Sequence, residues 1–277
     1  MHLSAVYLQT IQNKMDKLSN NLANSVTPGF KQQLLSLEES YDAQDRANSV
    51  AQYGGLPLTN NPVPQDNLYV GRRLDFSPGT LTDTGNSLDM AIAGEGFFQV
   101  RTESGELGYT RAGVFTVDSA GNLVNNLGML LEPRVIIPKN ATNVHVEENG
   151  TIRGSLKTSP EDDGIDYADY YYADDEDLAD GLVTFGRIAL YKFVNPDGLA
   201  QAGKNIFLPT EASGQALEGT AGEDGYGLIK GSTLERSNTD LVTTMTSIIQ
   251  LQRAYQLNLK IIRNQDEMSN LAIGMRG

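Results

Sequence analysis

Two long segments without proline or glycine, one near each end of the chain, constrain its fold more than any other feature. In the first, apolar residues recur at the alternating spacing of three and four that marks one face of a helix, at Leu8, Ile11, Met15, Leu18 and Leu22. No helix breaker occurs before Pro28-Gly29. The pattern therefore predicts a helix over residues 3–24, about 33 Å long.

The second segment carries a matching stripe. Its apolar positions are Leu241, Met245, Ile248, Tyr255, Leu259 and Ile262, and the polar Gln252 occupies the position that the spacing skips. Asn238 or Asp240 is suited to cap a helix that runs to about Leu271. Either stripe alone is typical of an ordinary amphipathic helix that faces a core. Two stripes at opposite ends, with no comparable pattern between them, favour helices that pair as a coiled coil, within one subunit or between subunits.

Between the two helices the sequence predicts β structure. Short apolar segments alternate with turns rich in Gly, Asn and Asp, and the expected strands lie within residues 88–100, 109–117, 123–124, 135–137, 144–146, 151–152 and 188–194. Strands this short and closely spaced favour an antiparallel sandwich or barrel-like body. The predicted fold class is α+β, with a terminal-helix assembly domain at 1–47 and 232–277 and a β-rich body at 76–231.

Two regions differ in composition from the rest. Residues 48–75 contain Gly54-Gly55 and three prolines and read as an extended connector. Residues 159–180 hold ten acidic residues, no basic residue and four tyrosines. Like charges at this density resist compaction, so we expect an exposed acidic insert. Weak calcium binding is an alternative for the insert, although its spacing does not match an EF-hand loop.

The composition argues against most binding and catalytic chemistry. The net charge of −14 disfavours nucleic acid and anionic membranes as partners, and no stretch has the length of a membrane span. The absence of cysteine excludes disulfides and thiolate chemistry, and the two histidines, His2 and His145, stand in no catalytic motif. We therefore expect no catalytic residue, cofactor or metal. Carboxylates for a glycosidase are plentiful, but the chain has no tryptophan to form a sugar platform.

Three motifs follow one another in a specific order. They are LSNNLANSVTPGFK at 18–31, then LDMAIAGEGFFQV and YTRAGVFTV at 88–100 and 109–117, then LERSNTD and IQLQRAY at 234–240 and 249–255. In this order they resemble the bacterial flagellar axial proteins of the rod and hook, most of all the distal and proximal rod proteins and their Gram-positive homologues. The resemblance covers more than half of the chain.

The resemblance implies a structural role. Terminal helices of this family pair as a coiled coil and form the inner tube of the axial structure. The chain would be a rod subunit that polymerises with itself and with other rod and hook proteins, and that transmits torque to the hook. A hook subunit or another axial protein is the alternative, although hook proteins carry a longer middle region.

The resemblance also implies a location and a set of assembly residues. Subunits of this family are exported through the flagellar type III apparatus without a cleaved signal, and they reside in the basal body, where the rod crosses the cell envelope. The first ten residues accordingly show no basic and apolar signal pattern. Besides the two stripes, the residues that match the terminal motifs are Asn21, Ala23, Asn24, Thr27, Gly29, Phe30 and Lys31, followed by Gln252, Arg253, Ala254 and Tyr255.

Overall fold

The computed structural model describes residues 2–39, 68–102, 104–156 and 182–274. The acidic insert expected at 159–180 and residues 48–67 of the expected connector lie outside this part of the chain. Two long helices and a β-rich middle region are present, so the predicted α+β class is confirmed. Helix α1 spans His2–Ala23 and helix α2 spans Leu241–Gly274, close to the predicted bounds.

The strands are short, as the closely spaced turns predicted. In chain order they are β1 (Gln33–Glu39), β2 (Leu68–Leu74), β3 (Leu81–Asp83), β4 (Met90–Ala93), β5 (Phe98–Arg101), β6 (Leu107–Thr110), β7 (Phe115–Val117), β8 (Leu123–Asn125), β9 (Leu130–Glu132), β10 (Ala141–Val146), β11 (Thr151–Leu156), β12 (Val183–Arg187), β13 (Leu190–Lys192), β14 (Ala200–Gly203), β15 (Ile206–Leu208), β16 (Leu217–Gly219), β17 (Leu228–Gly231) and β18 (Thr233–Glu235). Strand β2 forms part of the region expected as a connector.

The chain divides into two compact units. The helical unit comprises Met1–Leu22, Gln33–Asp75 and Leu241–Gly277, and the β unit comprises Ala23–Gln32 and Phe76–Asp240. Besides α1 and α2, the helical unit contains an antiparallel ribbon in which β1 pairs with β2 along its whole length. The residues just before α2 belong to the β unit, where β18 pairs with β3.

The β unit is built from antiparallel sheets around one apolar core. In the described residues its largest sheet has seven strands in the order β14-β15-β6-β5-β9-β8-β7, and β10, β11 and β12 form a second sheet. Phe98 of β5 is fully buried and meets Phe115 edge to face, with ring centroids 5.4 Å apart. The second sheet adds Ile152, which is also fully buried. Burying each such side chain stabilises the unit by about 1.5–3 kcal/mol.

One expected strand is absent. Residues 135–137 contribute only an isolated bridge, between Asn122 and Ile136. The segment lies between Pro133 and Pro138, which have no N–H group for a continuous ladder. Val135 and Ile137 are nevertheless 2% and 4% exposed, so the segment belongs to the core although the predicted strand was wrong.

Two buried tyrosines of the β unit titrate abnormally. The rings of Tyr109 and Tyr191 meet edge to face, with centroids 5.7 Å apart. Burial raises the pKa of both phenols, and the nearby carboxylate of Glu218 raises the pKa of Tyr191 further. For Tyr109, a hydrogen bond donated by the Gln99 amide at 2.8 Å opposes this rise in pKa.

These raised pKa values predict how stability depends on pH. Above about pH 10 the unfolded chain releases phenolic protons that the folded β unit retains, so the free energy of unfolding should fall as the pH rises. The variant Tyr191→Phe removes one such proton, and its stability should fall less steeply between about pH 10 and pH 12. Urea unfolding at a series of pH values measures the slope. Equal slopes for the variant and the wild type would refute the prediction.

Candidate assembly site

The predicted stripe on α1 is only partly covered. Ile11 is 4% exposed, whereas Leu8, Met15, Leu18 and Leu22 are half-buried. An apolar row that keeps part of its surface open can bury more area against a further partner.

The predicted stripe on α2 is more open. Leu241 and Met245 are 44% and 45% exposed, and the rest of the apolar stripe is half-buried, at Ile248, Tyr255, Leu259 and Ile262. The motif residues Gln252 and Arg253 are exposed. A hydrogen bond joins the two helices: the side-chain amide of Gln12 donates to the Tyr255 hydroxyl, at 3.2 Å.

Helix α2 also carries a second apolar row, which the sequence analysis missed. Its members are Val242, Ile249, Leu257, Ile261 and Met268, and each is at least half exposed, from 50% to 71%. At 3.6 residues per turn, Leu257, Ile261 and Met268 lie roughly opposite the predicted stripe, and Val242 and Ile249 lie about a quarter turn from it. A helix that is apolar on two sides is typical of an element that is surrounded by other helices. Apolar residues that recur seven positions apart, at 242 and 249 and at 261 and 268, could have revealed this row in the sequence.

Asn21 has a role within its own unit. Its side chain is 2% exposed, donates to the Gln33 carbonyl at 3.0 Å and accepts from the Gln33 amide at 2.9 Å. The side chain thus pairs with the Gln33 backbone as a neighbouring strand does, and it ties α1 to the start of β1. From the sequence, Asn21 was expected only as one of the assembly residues that match the amino-terminal motif.

The chain segment after α1 lies alongside the segment before α2. We call residues 29–32 and 235–238 the junction. The Gly29 amide donates to the Glu235 carbonyl at 2.7 Å, and the Gln32 amide donates to the Asn238 side chain at 2.8 Å. Phe30 is 3% exposed. The motif residues Gly29 and Phe30 are therefore packed inside the β unit.

A buried ion cluster fastens the junction. Lys31 Nζ contacts Glu235 Oε1 at 2.6 Å and donates to the Ser77 carbonyl at 2.7 Å. Arg111 Nη1 lies 3.6 Å from Glu235 Oε2, and its guanidinium stands over the Phe97 ring. Lys31, Glu235 and Arg111 are at most 3% exposed. Burial lowers the pKa of the Arg111 guanidinium, and the charge of Glu235 opposes this shift.

This cluster joins the three motifs found in the sequence. Lys31, Arg111 and Glu235 come from the first, second and third motif respectively, yet sequence reasoning gave Arg111 and Glu235 no role. All three motifs contain charged residues, but the second and third contain several, and nothing in the local sequence marks which of them pair. The arrangement is suited to hold chain segments together, and it offers no reactive group to solvent.

The described residues contain no group of three or more His, Cys, Asp or Glu side chains placed to hold a metal ion. Neither of their helices is long and apolar enough to cross a membrane.

Two regions of the chain match protein-family models. Residues 91–154 match the model described as the flagellar hook protein FlgE/F/G D1 domain. Residues 230–275 match the model described as the flagellar basal body rod FlgEFG protein C-terminal region. Both matches place the chain in the class of proteins that build the flagellar hook and rod.

Individual relatives narrow this class. The flagellar basal-body rod protein FlgG of Caulobacter vibrioides is 33% identical over 259 residues, which cover 93% of this chain and 91% of the relative. FlgG of Buchnera aphidicola subsp. Schizaphis graminum is 32% identical over 276 residues, which cover 96% of this chain and 95% of the relative. The flagellar hook protein FlgE of Salmonella typhimurium is 24% identical, and the match covers 97% of this chain and 98% of the relative. The chain belongs to the flagellar basal-body rod protein family and is a structural subunit of the rod in the flagellar basal body.

Proposed function

We propose that the chain polymerises into a helical axial tube that transmits torque to the hook, and that its terminal helices form the wall of this tube. The observation that carries the proposal is the apolar surface of α2, where five large side chains of the second row are at least half exposed. A contact between two different faces of identical subunits builds an open helical filament when its rotation does not close into a ring.

Within each subunit, we propose that α1 and α2 pair as an antiparallel coiled coil through their stripes. The hydrogen bond from Gln12 to Tyr255 supports this pairing, as does the partial burial of both stripes. Gln252 interrupts the apolar stripe of α2. Single polar residues at such positions select the register of a coiled coil at some cost in stability.

The proposed assembly residues divide into two groups. The first forms the surface that pairs or polymerises and comprises Leu8, Ile11, Met15, Leu18, Leu22, Leu241, Met245, Ile248, Gln252, Arg253, Tyr255, Leu259 and Ile262. The second comprises Asn21, Asn24, Gly29 and Phe30, which act from within the chain by holding the segments next to the helices. Residues 1–47 and 232–277 would then serve as the assembly domain, 48–75 as a connector and 76–231 as the body that meets lateral neighbours.

The proposed partners are copies of this chain, other rod and hook proteins, and the flagellar type III export apparatus that delivers the subunit. We propose no enzymatic activity. The residues with unusual surroundings, such as Lys31 and Glu235, are enclosed in the β unit, where no substrate reaches them.

Electron microscopy of purified basal bodies tests the location and the role. A strain that lacks this chain should yield basal bodies with an incomplete rod and no hook, and the wild-type chain should restore both. An antibody against a tag on the restored chain should label the rod. Complete rods that lack only the hook would instead support the hook alternative and contradict the proposal.

A further inference from the structure

Glu235 is the hub of the buried ion cluster. Its Oε1 atom accepts hydrogen bonds from Lys31 Nζ at 2.6 Å and from the Gly79 amide at 2.7 Å, and its Oε2 atom faces Arg111 at 3.6 Å. Its backbone carbonyl accepts from the Gly29 amide at 2.7 Å. One residue therefore holds three segments that are far apart in the sequence.

Within the cluster one carboxylate, that of Glu235, faces two cations, Lys31 and Arg111. Removing Lys31 leaves the carboxylate with the Gly79 amide and Arg111. Removing the carboxylate deprives two buried cations of the anion that they share. Taking a cation out of water without a counter-charge costs several kcal/mol, whereas a balanced replacement costs much less. Glu95 also acts on Arg111 electrostatically, but its side chain is 81% exposed in its ion pair with Lys192, so solvent screens its effect.

Two members of the cluster, Lys31 and Glu235, lie outside the largest sheet, whereas Arg111 directly follows strand β6 of that sheet. Glu235 lies in β18, whose pairing partner is the short strand β3, and these two strands form a separate two-stranded sheet. The seven-stranded sheet takes no strand from residues 29–32, 77–83 or 233–236. Proteins open locally in units of this kind, without global unfolding, when the local contacts are weak.

We propose that the Glu235 carboxylate acts as a latch. Lys31 and Arg111 become buried, and residues 29–32 pack against the rest of the β unit, only when the third motif is in place. Lys31, Ser77 and Arg111 all precede Glu235 in the chain, so a chain made from its N-terminus presents both cations before the carboxylate that permits their burial. In a chain that ends before Glu235, residues 29–32 thus remain unpacked. The latch is a property of the β unit and would hold whether or not the chain forms an axial tube.

Hydrogen exchange of the full-length chain tests the latch at individual amides. The amides of Gly29, Gly79 and Arg236 report on the latch, because they donate to the Glu235 carbonyl, the Glu235 carboxylate and the Thr80 carbonyl respectively. The amides that join β5 to β9, around Val100 and Leu131, report on the large sheet. The variants are Glu235→Gln, which keeps the size of the side chain, and Lys31→Met, which removes one cation.

Glu235→Gln should accelerate exchange at the three latch amides about 100-fold or more, as expected for a broken buried ion pair, while the β5–β9 amides keep their rates. In Lys31→Met, the exchange rates of the latch amides should be at least tenfold lower than in Glu235→Gln. A matched control is Glu132→Gln, since Glu132 pairs with Arg101 at 2.8 Å near the surface, and this variant should leave the latch amides unchanged.

Three results would overturn the latch. Wild-type rates at Gly29, Gly79 and Arg236 in Glu235→Gln would mean that the charge is immaterial. Equal acceleration of the β5–β9 amides would make Glu235 an ordinary part of the global core. Equal acceleration of the latch amides in Glu235→Gln and Lys31→Met would show that losing the shared carboxylate matters no more than losing one cation.

Discussion

Replacing Gly29 by alanine is expected to lower the free energy of unfolding of the β unit by about 2–5 kcal/mol. Gly29 has a φ of +66°, a left-handed conformation that costs an L-residue about 1–2 kcal/mol. A Cβ atom at this position would lie 2.5 Å from backbone atoms of Arg111 and Ala112, so the junction would have to move away. Forcing atoms into packed space adds about 1–3 kcal/mol.

Gly85 provides a matched control for this substitution. Its φ of +71° is nearly the same, but a Cβ atom there would meet nothing within 4 Å. The variant Gly85→Ala should therefore lose only the conformational part, about 1–2 kcal/mol. Urea unfolding, followed by tyrosine fluorescence, gives both values. Equal losses in the two variants would show that the close approach of Gly29 to Arg111 and Ala112 contributes nothing.

Replacing Leu18 and Leu22 together by aspartate should abolish rod assembly and motility. Both side chains are half-buried on the α1 stripe. Their removal from an apolar contact forfeits about 3–6 kcal/mol per subunit, and the two carboxylates must also lose water if the contact forms. The β unit should fold normally, because neither residue belongs to it.

The matched control keeps both positions apolar. Leu18→Met with Leu22→Met conserves volume, and such exchanges usually cost less than about 1.5 kcal/mol each. This variant should still swim and build rods. The readouts are soft-agar motility and electron microscopy of basal bodies, with circular dichroism as a check on folding. Normal rods in the aspartate variant would contradict the proposed role of the stripe.

The helices were predictable because their signal is local. An apolar period without Pro or Gly defined α1 and α2 within a few residues. The strands from β14 to β17 were not predicted. Strands β14, β16 and β17 are short and carry Gly, Ala or charged residues in place of an alternating apolar pattern, and the apolar strand β15 has only three residues. Strands β15 and β17 pair with the distant strands β6 and β4, and the local sequence does not encode those partners.

The site was predictable only in part, for the same reason. The stripes follow from spacing, whereas the cluster of Lys31, Arg111 and Glu235 depends on contacts across as many as 204 residues. Asn21 illustrates the limit of residue type as evidence. An amide in a helix is equally suited to bind another subunit or its own chain, and only the structure pairs it with Gln33.

Disulfide trapping in assembled rods tests most directly whether the terminal helices pair through their stripes. The chain has no cysteine, so two introduced thiols are the only ones present. Counting from the Gln12–Tyr255 contact, six residues forward on α1 and seven residues back on α2 lead to Leu18 and Ile248. The control places the second cysteine at Leu257, which is 62% exposed on the other side of α2.

Mild oxidation of rods that contain Leu18→Cys and Ile248→Cys should link the two positions within one chain, seen as faster migration on a non-reducing gel. Rods with Leu18→Cys and Leu257→Cys should give no such product. Absence of the product from the first pair, or equal yields from both pairs, would contradict the pairing of α1 with α2 through their stripes.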